Sequence, residues 1–163
     1  MKKIICLVIA YGLVFTPLSI LFSCTVEAKI VSASSVLSRQ QAIDFVKKAQ
    51  KNQWTLTEKD YFSLSKVKST MNPYFTSAYI NEFVNVGGKN TKSGWISNLR
   101  DTDDVTGYLP YDTPGKEMTV SYSKDKKKIY VTGYANSEGD IYKVTTTLVK
   151  TKVGWRIEAI KWL

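Results

Sequence analysis

The chain has 163 residues, two cysteines, no histidine and 23 basic against 14 acidic residues, for a formal net charge of +9. Without histidine there is no Ser-His-Asp triad, no Cys-His dyad and no His-containing zinc pattern. Both cysteines, Cys6 and Cys24, precede residue 33, so the chain beyond that point has no disulfide, no cysteine metal site and no thiol nucleophile.

The first 33 residues read as an export signal. Lys2 and Lys3 form a basic start, Ile4 to Phe22 is uncharged and mostly apolar, and Val26-Glu27-Ala28 and Val31-Ser32-Ala33 each offer small residues at signal-peptidase positions. The apolar stretch is also about long enough to span a bilayer by the ~20-residue rule. Leu21-Phe22-Ser23-Cys24 resembles a bacterial lipobox, which would end the signal at residue 23 and place a lipid on Cys24. Cleavage after Ala28 or Ala33 and lipidation at Cys24 stay open. Each predicts a secreted or cell-surface protein that touches a membrane only through its signal or lipid.

Residues 34–163 are expected to form a single domain, large enough to bury a core without metals or disulfides. It retains 20 basic and 13 acidic residues, an excess that suits solubility or attraction to anionic polymers and surfaces.

Ser38-Arg39-Gln40-Gln41 fits a capping box. With Ala42, Phe45, Val46 and Ala49 at helical spacing, it predicts a helix from Arg39 to Lys51. Thr57-Glu58-Lys59-Asp60 predicts a second start, followed by Tyr61, Leu64, Val67 and Met71. Asn72-Pro73 predicts a third helix beginning at Pro73 with Asn72 as its cap. Phe75, Ala78, Tyr79 and Phe83 form its stripe, and Gly87-Gly88 ends it. Lys89 to Gly94 reads as a loop, and Trp95 to Leu99 equally as a short strand or a helical turn. Asp101 to Gly115, with two Pro and two Gly, is the longest irregular stretch and the type of segment that often binds ligands.

From Met118 onward the chain alternates as a four-stranded antiparallel meander: MTVSYS, KIYVTGYA, IYKVTTTLVK and WRIEAIKWL. Short turns at Lys124–Lys127, Asn136–Asp140 and Lys152–Gly154 join these runs as hairpins. In the last strand Trp155, Ile157 and Ala159 alternate with Arg156 and Glu158, and then Ile160 and Trp162 fall out of phase. A period of two cannot absorb that slip, so a bulge or strong bend is expected near Ala159.

No residue is assigned a catalytic role, and no cofactor or metal is expected. Asp101, Asp103, Asp104 and Asp112 echo a Ca²⁺ loop but lack its central Gly and its bidentate Glu. Trp95, Tyr108, Tyr111 and Asp112 are the candidate ligand-binding residues, because a loop overhanging a concave sheet would bring them to a pocket mouth. An Asp beside a Tyr could there serve as an acid/base pair. Arg39, Arg100 and Arg156 are the only arginines. No phosphate-loop or RNA-binding motif accompanies them, so no specific nucleic acid is expected.

The stretch PYFTSAYINEF and the ending KTKVGWRIEAIKWL resemble the NTF2-like (cystatin-like α+β) superfamily, and the layout is similar to short exported proteins of Bacillus-type bacteria. The resemblance implies an α+β fold, N-terminal helices packed on a curved antiparallel C-terminal sheet as a cone. The superfamily holds isomerases, dehydratases and cyclases beside binding and dimerising modules. With no histidine here, the expected function is an exported, non-enzymatic binding or accessory module. Its partner would be a small ligand, an anionic surface polymer or a protein, and a homodimer is compatible. The rivals are a small isomerase- or hydrolase-type enzyme using Asp and Tyr, and a polyanion or membrane-surface binder.

Overall fold

In the computed structural model the described residues are 36–101, 107–110, 115–137 and 139–163. They lie within one compact unit, and the architecture is α+β, with helices leading into antiparallel sheets. Helix α1 spans Arg39–Trp54. Both halves of its capping box form: the Gln41 N–H donates to Ser38 Oγ at 3.3 Å, and the Ser38 N–H donates to Gln41 Oε1 at 2.8 Å. Ala42, Val46, Ala49 and Gln53 make its buried stripe. Gln53 belongs to that stripe, so the helix runs a turn further than Lys51.

The next two helices start later than the spacing predicts. Thr55–Thr57 forms a 3₁₀ turn instead of capping α2. Phe62 is then extended and exchanges two backbone hydrogen bonds with Trp95, at 2.9 and 2.8 Å. That pairing postpones α2 to Leu64–Met71, where Ser63 Oγ accepts from the Lys66 N–H at 3.1 Å. Likewise Asn72 closes α2 rather than opening α3. The Ile157 N–H donates to Tyr74 O at 2.7 Å and the Thr76 N–H donates to Ile157 O at 2.9 Å. These bonds to the last strand hold Phe75 outside any helix. Thr76 caps α3, Ser77–Val86, whose buried face is Tyr79, Ile80, Phe83 and Val84, while Ala78 is exposed.

The expected loop at Lys89–Gly94 is a hairpin, β1 (Gly88–Thr91) paired with β2 (Gly94–Ser97). Its two-residue turn is held by Thr91 Oγ1, which accepts from the Ser93 N–H and donates to Gly94 O. Trp95 to Leu99 takes both readings in succession: strand to Ser97, then the single helical turn α4 (Asn98–Asp101).

The meander forms as β3 (Thr119–Tyr122), β4 (Lys128–Ser137), β5 (Asp140–Thr151) and β6 (Gly154–Trp162), adjacent in that order and antiparallel throughout. Gly139 and Gly154 take φ of +91° and +114° at the last two reversals, values that suit glycine. At the first reversal the Ser123 hydroxyl and then the Lys127 N–H bond the Asp125 carboxylate and hold its pKa below the ordinary range.

Ile129, Val131, Gly133 and Ala135 of β4 face inward, as do Val144, Thr146 and Leu148 of β5, and all are buried. On β6, Leu148 pairs with Ile157 but Thr147 pairs with Ala159, so Glu158 is an extra residue. This bulge lies one residue before the expected place. It returns Ile160 and Trp162 to the inner face, opposite Thr146 and Val144. The helices cover that face. Trp95, Tyr108, Phe75, Phe83, Leu56, Met71 and Leu109 fill the interior, each almost wholly out of solvent.

Candidate functional site

The structure describes two of the four candidate ligand-binding residues. Trp95 and Tyr108 are each 0 % exposed. They meet through Phe83, whose ring centre lies 5.6 Å from that of Trp95 and 5.0 Å from that of Tyr108. Both rings lie in the buried core cluster. Tyr111 and Asp112 lie outside the described residues, as do Cys24 and the acidic pair Asp103 and Asp104.

Tyr108 is buried because the chain around it is pinned. The Gln53 amide donates to Gly107 O at 2.7 Å and accepts from the Leu109 N–H at 3.0 Å. Tyr79 Oη also donates to Gly107 O, at 2.6 Å, and Trp54 Nε1 donates to Leu109 O at 3.1 Å. Gln53 thus pairs with the segment as a neighbouring strand would, satisfying backbone groups that burial takes from water. Reading the sequence did not single out Gln53. Its signal is a polar residue in phase with Ala42, Val46 and Ala49 on an otherwise apolar helix stripe.

Within this cluster the Tyr108 hydroxyl shares a 2.7 Å hydrogen bond with Ser97 Oγ, which also accepts from the Leu99 N–H. Burial disfavours the phenolate and, against the smaller opposing effect of Ser97, pushes the Tyr108 pKa up to about 12. The folded state therefore holds this proton where the unfolded chain, titrating near 10, loses it. Stability from this group is full below pH 10 and falls as pH rises toward 12, by about 2–3 kcal/mol at 1.36 kcal/mol per unit. In urea unfolding between pH 9 and 12, Tyr108→Phe should remove this part of the alkaline loss. An unchanged pH slope in the variant would show that the hydroxyl is not held neutral.

Acid/base chemistry needs ionisable groups aimed into a shared space. Among the described residues the buried amide and hydroxyl side chains are Gln53, Ser97, Thr146, Tyr79 and Tyr108, with no carboxylate, ammonium or guanidinium. Nor does any described cluster of Asp or Glu suit a metal ion. Among the described residues the interior polar groups bond chain segments together, and the charged side chains lie on solvent-facing surfaces.

Two such surfaces are built by named elements. A groove of about 560 Å³ runs between α2 and α3, with Ser69, Asn72, Ser77 and Asn81 on its walls, Lys68 at its side and Ile80 among its apolar lining. The larger surface is the outer face of the sheet. Strand register places Lys128, Val149 and Arg156 in one row, then Tyr130 with Thr147 and Ala159, then Thr132 with Thr145 and Lys161, then Tyr134 with Lys143. Every side chain in these rows keeps some exposure.

Residues 38–135, more than half of the chain, match the model of a family described as Protein of unknown function (DUF3993). No curated protein matches.

Proposed function

The chain belongs to the DUF3993 family, and from its geometry we propose that it is an exported, non-catalytic binding module that takes its ligand on the outside of the domain. In this reading the helices and curved sheet are an NTF2-like cone whose interior is closed, and the first 33 residues deliver it to the cell surface. The observation that carries it is the filling of the space between helices and sheet. Trp95, Phe75, Phe83, Tyr108 and Leu109 belong to one buried cluster with Ile129, Val131, Val144, Leu148 and Ile157 of the sheet's inner face. A pocket needs a cavity with a few convergent polar groups. Here the polar atoms that converge, those of Gln53, Tyr79 and Ser97, are bonded to the protein's own backbone. Among the described residues, an exposed four-stranded face and the groove between α2 and α3 are open to recognition.

The test is co-sedimentation of the purified protein with washed bacterial envelope material, with mass spectrometry of the supernatant. The expected result is saturable retention with no new low-molecular-weight product. Release of an envelope fragment in proportion to enzyme and time would replace this reading with a catalytic one, and absent or unsaturable retention would overturn it.

A further inference from the structure

We infer that the outer face of the four-stranded sheet is a track for a linear polyanion, a phosphodiester-linked polyol or sugar polymer that lies along β4 and β5. The inference rests on the binding-module reading and supplies its ligand class.

Charge on this face is one-sided. The sheet register puts Lys128, Lys143, Arg156 and Lys161 on it, and Lys116 adds a fifth cation, 5.6 Å above the Tyr134 ring. Among the described side chains of these strands one carboxylate faces the same way, Glu158, bonded to Lys128 at 2.9 Å. The cations fall into two groups. Lys128 and Arg156 flank Val149 at one end, while Lys143 and Lys161 sit diagonally across β5 and β6 at the other.

From the Lys128 row to the Tyr134 row is six residues of β4, or about 20 Å at 3.4 Å per residue. That exceeds the ~8 Å screening length at physiological salt, so one small anion cannot engage both ends. A chain of regularly spaced anions can. Between the ends the floor is hydroxylic: Thr132 and Thr145 share a 2.9 Å hydrogen bond, with Thr147 and Ser121 beside them. Hydroxyls both donate and accept, so they suit phosphate oxygens and polyol hydroxyls alike.

Other anionic macromolecules fit less well. Single-stranded nucleic acid binds by stacking bases on free aromatic faces, but Lys116 lies over the Tyr134 ring and Tyr130 is half-buried. A membrane surface calls for protruding apolar side chains amid the basic ones. Here the most exposed aliphatic side chains, Ile141 at 53 %, Leu163 at 58 % and Val153 at 75 %, sit at the two ends of the sheet, and the basic rows between them carry none.

The test is titration of the purified protein with synthetic poly(glycerol phosphate), with polyuridylate, phosphatidylglycerol vesicles and uncharged polyglycerol in parallel. Lys143→Glu/Lys161→Glu should weaken poly(glycerol phosphate) binding at least about tenfold and flatten its salt dependence, since each lost phosphate contact removes a released counterion. Lys47→Glu/Lys48→Glu makes the same change in net charge on the exposed side of α1 and should leave binding within about twofold. Glu158→Gln should tighten binding several-fold by freeing Lys128. Circular dichroism and urea midpoints check that each variant is folded.

Equal weakening by the two lysine pairs would overturn the track in favour of undirected charge attraction. Tighter binding to polyuridylate or to vesicles would overturn it in favour of those classes. Saturable envelope retention without poly(glycerol phosphate) binding would sink the track alone, whereas loss of both would sink the binding-module reading with it.

Discussion

At pH 7 a Gln53→Glu protein will be less stable than the wild type by about 3–4 kcal/mol, and most of that difference will vanish by pH 4. Gln53 is wholly buried, and its amide makes two backbone bonds, one as donor to Gly107 O and one as acceptor from the Leu109 N–H. A protonated glutamic acid can do both. A carboxylate can accept from Leu109 but turns a second lone pair toward the Gly107 carbonyl, in a site that disfavours charge. Its folded pKa must therefore rise above the unfolded value of about 4.3.

Between those two values the native state holds a proton that the unfolded state has lost. Stability is full below about pH 4.3 and declines with rising pH by 1.36 kcal/mol per unit, reaching about 3.7 kcal/mol at pH 7 if the folded pKa exceeds 7. Gln53→Leu gives the contrast. It orphans the buried Leu109 N–H at every pH and should cost about 1–3 kcal/mol without a slope. Urea unfolding of the three proteins at pH 4, 5.5 and 7 separates these cases. A Gln53→Glu difference flat with pH would mean that water reaches the amide and that the segment from Gly107 to Pro110 is not sealed into the core.

Trp95→Ala should cost about 3–5 kcal/mol, the range for emptying a large buried aromatic site. The ring is 0 % exposed and tilted against Phe83, and Nε1 donates to Val84 O at 2.9 Å. The substitution loses that bond together with the packing, leaving a carbonyl at the end of α3 without this partner. Trp95→Phe should fall between, because it restores ring volume but not the donor. Urea midpoints rank the three. A loss below about 1 kcal/mol for Trp95→Ala would contradict its place in the core and return the ring to consideration as a ligand wall.

How much of this was legible before the structure depended on the range of the forces involved. The Ser38 capping box, the alternating strands and the phase slip in β6 are local patterns, written in neighbouring residues. The starts of α2 and α3 are not. Thr57 and Asn72 look like caps, but Phe62 is claimed by Trp95 and Thr76 by Ile157, through backbone bonds that no window of sequence contains. The hairpin at Gly88–Ser97 was hidden because Lys89, Asn90 and Thr91 stay exposed and carry no apolar alternation. For the site, sequence alternation separates the two sheet faces but cannot tell which one the helices cover. Tyr108 read as a loop residue at a pocket mouth because its burial depends on Gln53, more than fifty positions earlier.

Glu158 is the residue that β6 could do without. Because it is the supernumerary member of the bulge, deleting it leaves Trp155, Ile157, Ile160 and Trp162 alternating with Arg156, Ala159 and Lys161 at an unbroken period of two. A one-codon deletion inside a strand ordinarily throws every later side chain onto the wrong face; at this position it restores the pattern. Position 158 is therefore where inheritance can lengthen or shorten this strand without loss of the fold. A chain lacking the residue would carry a straighter final strand and a more positive outer face.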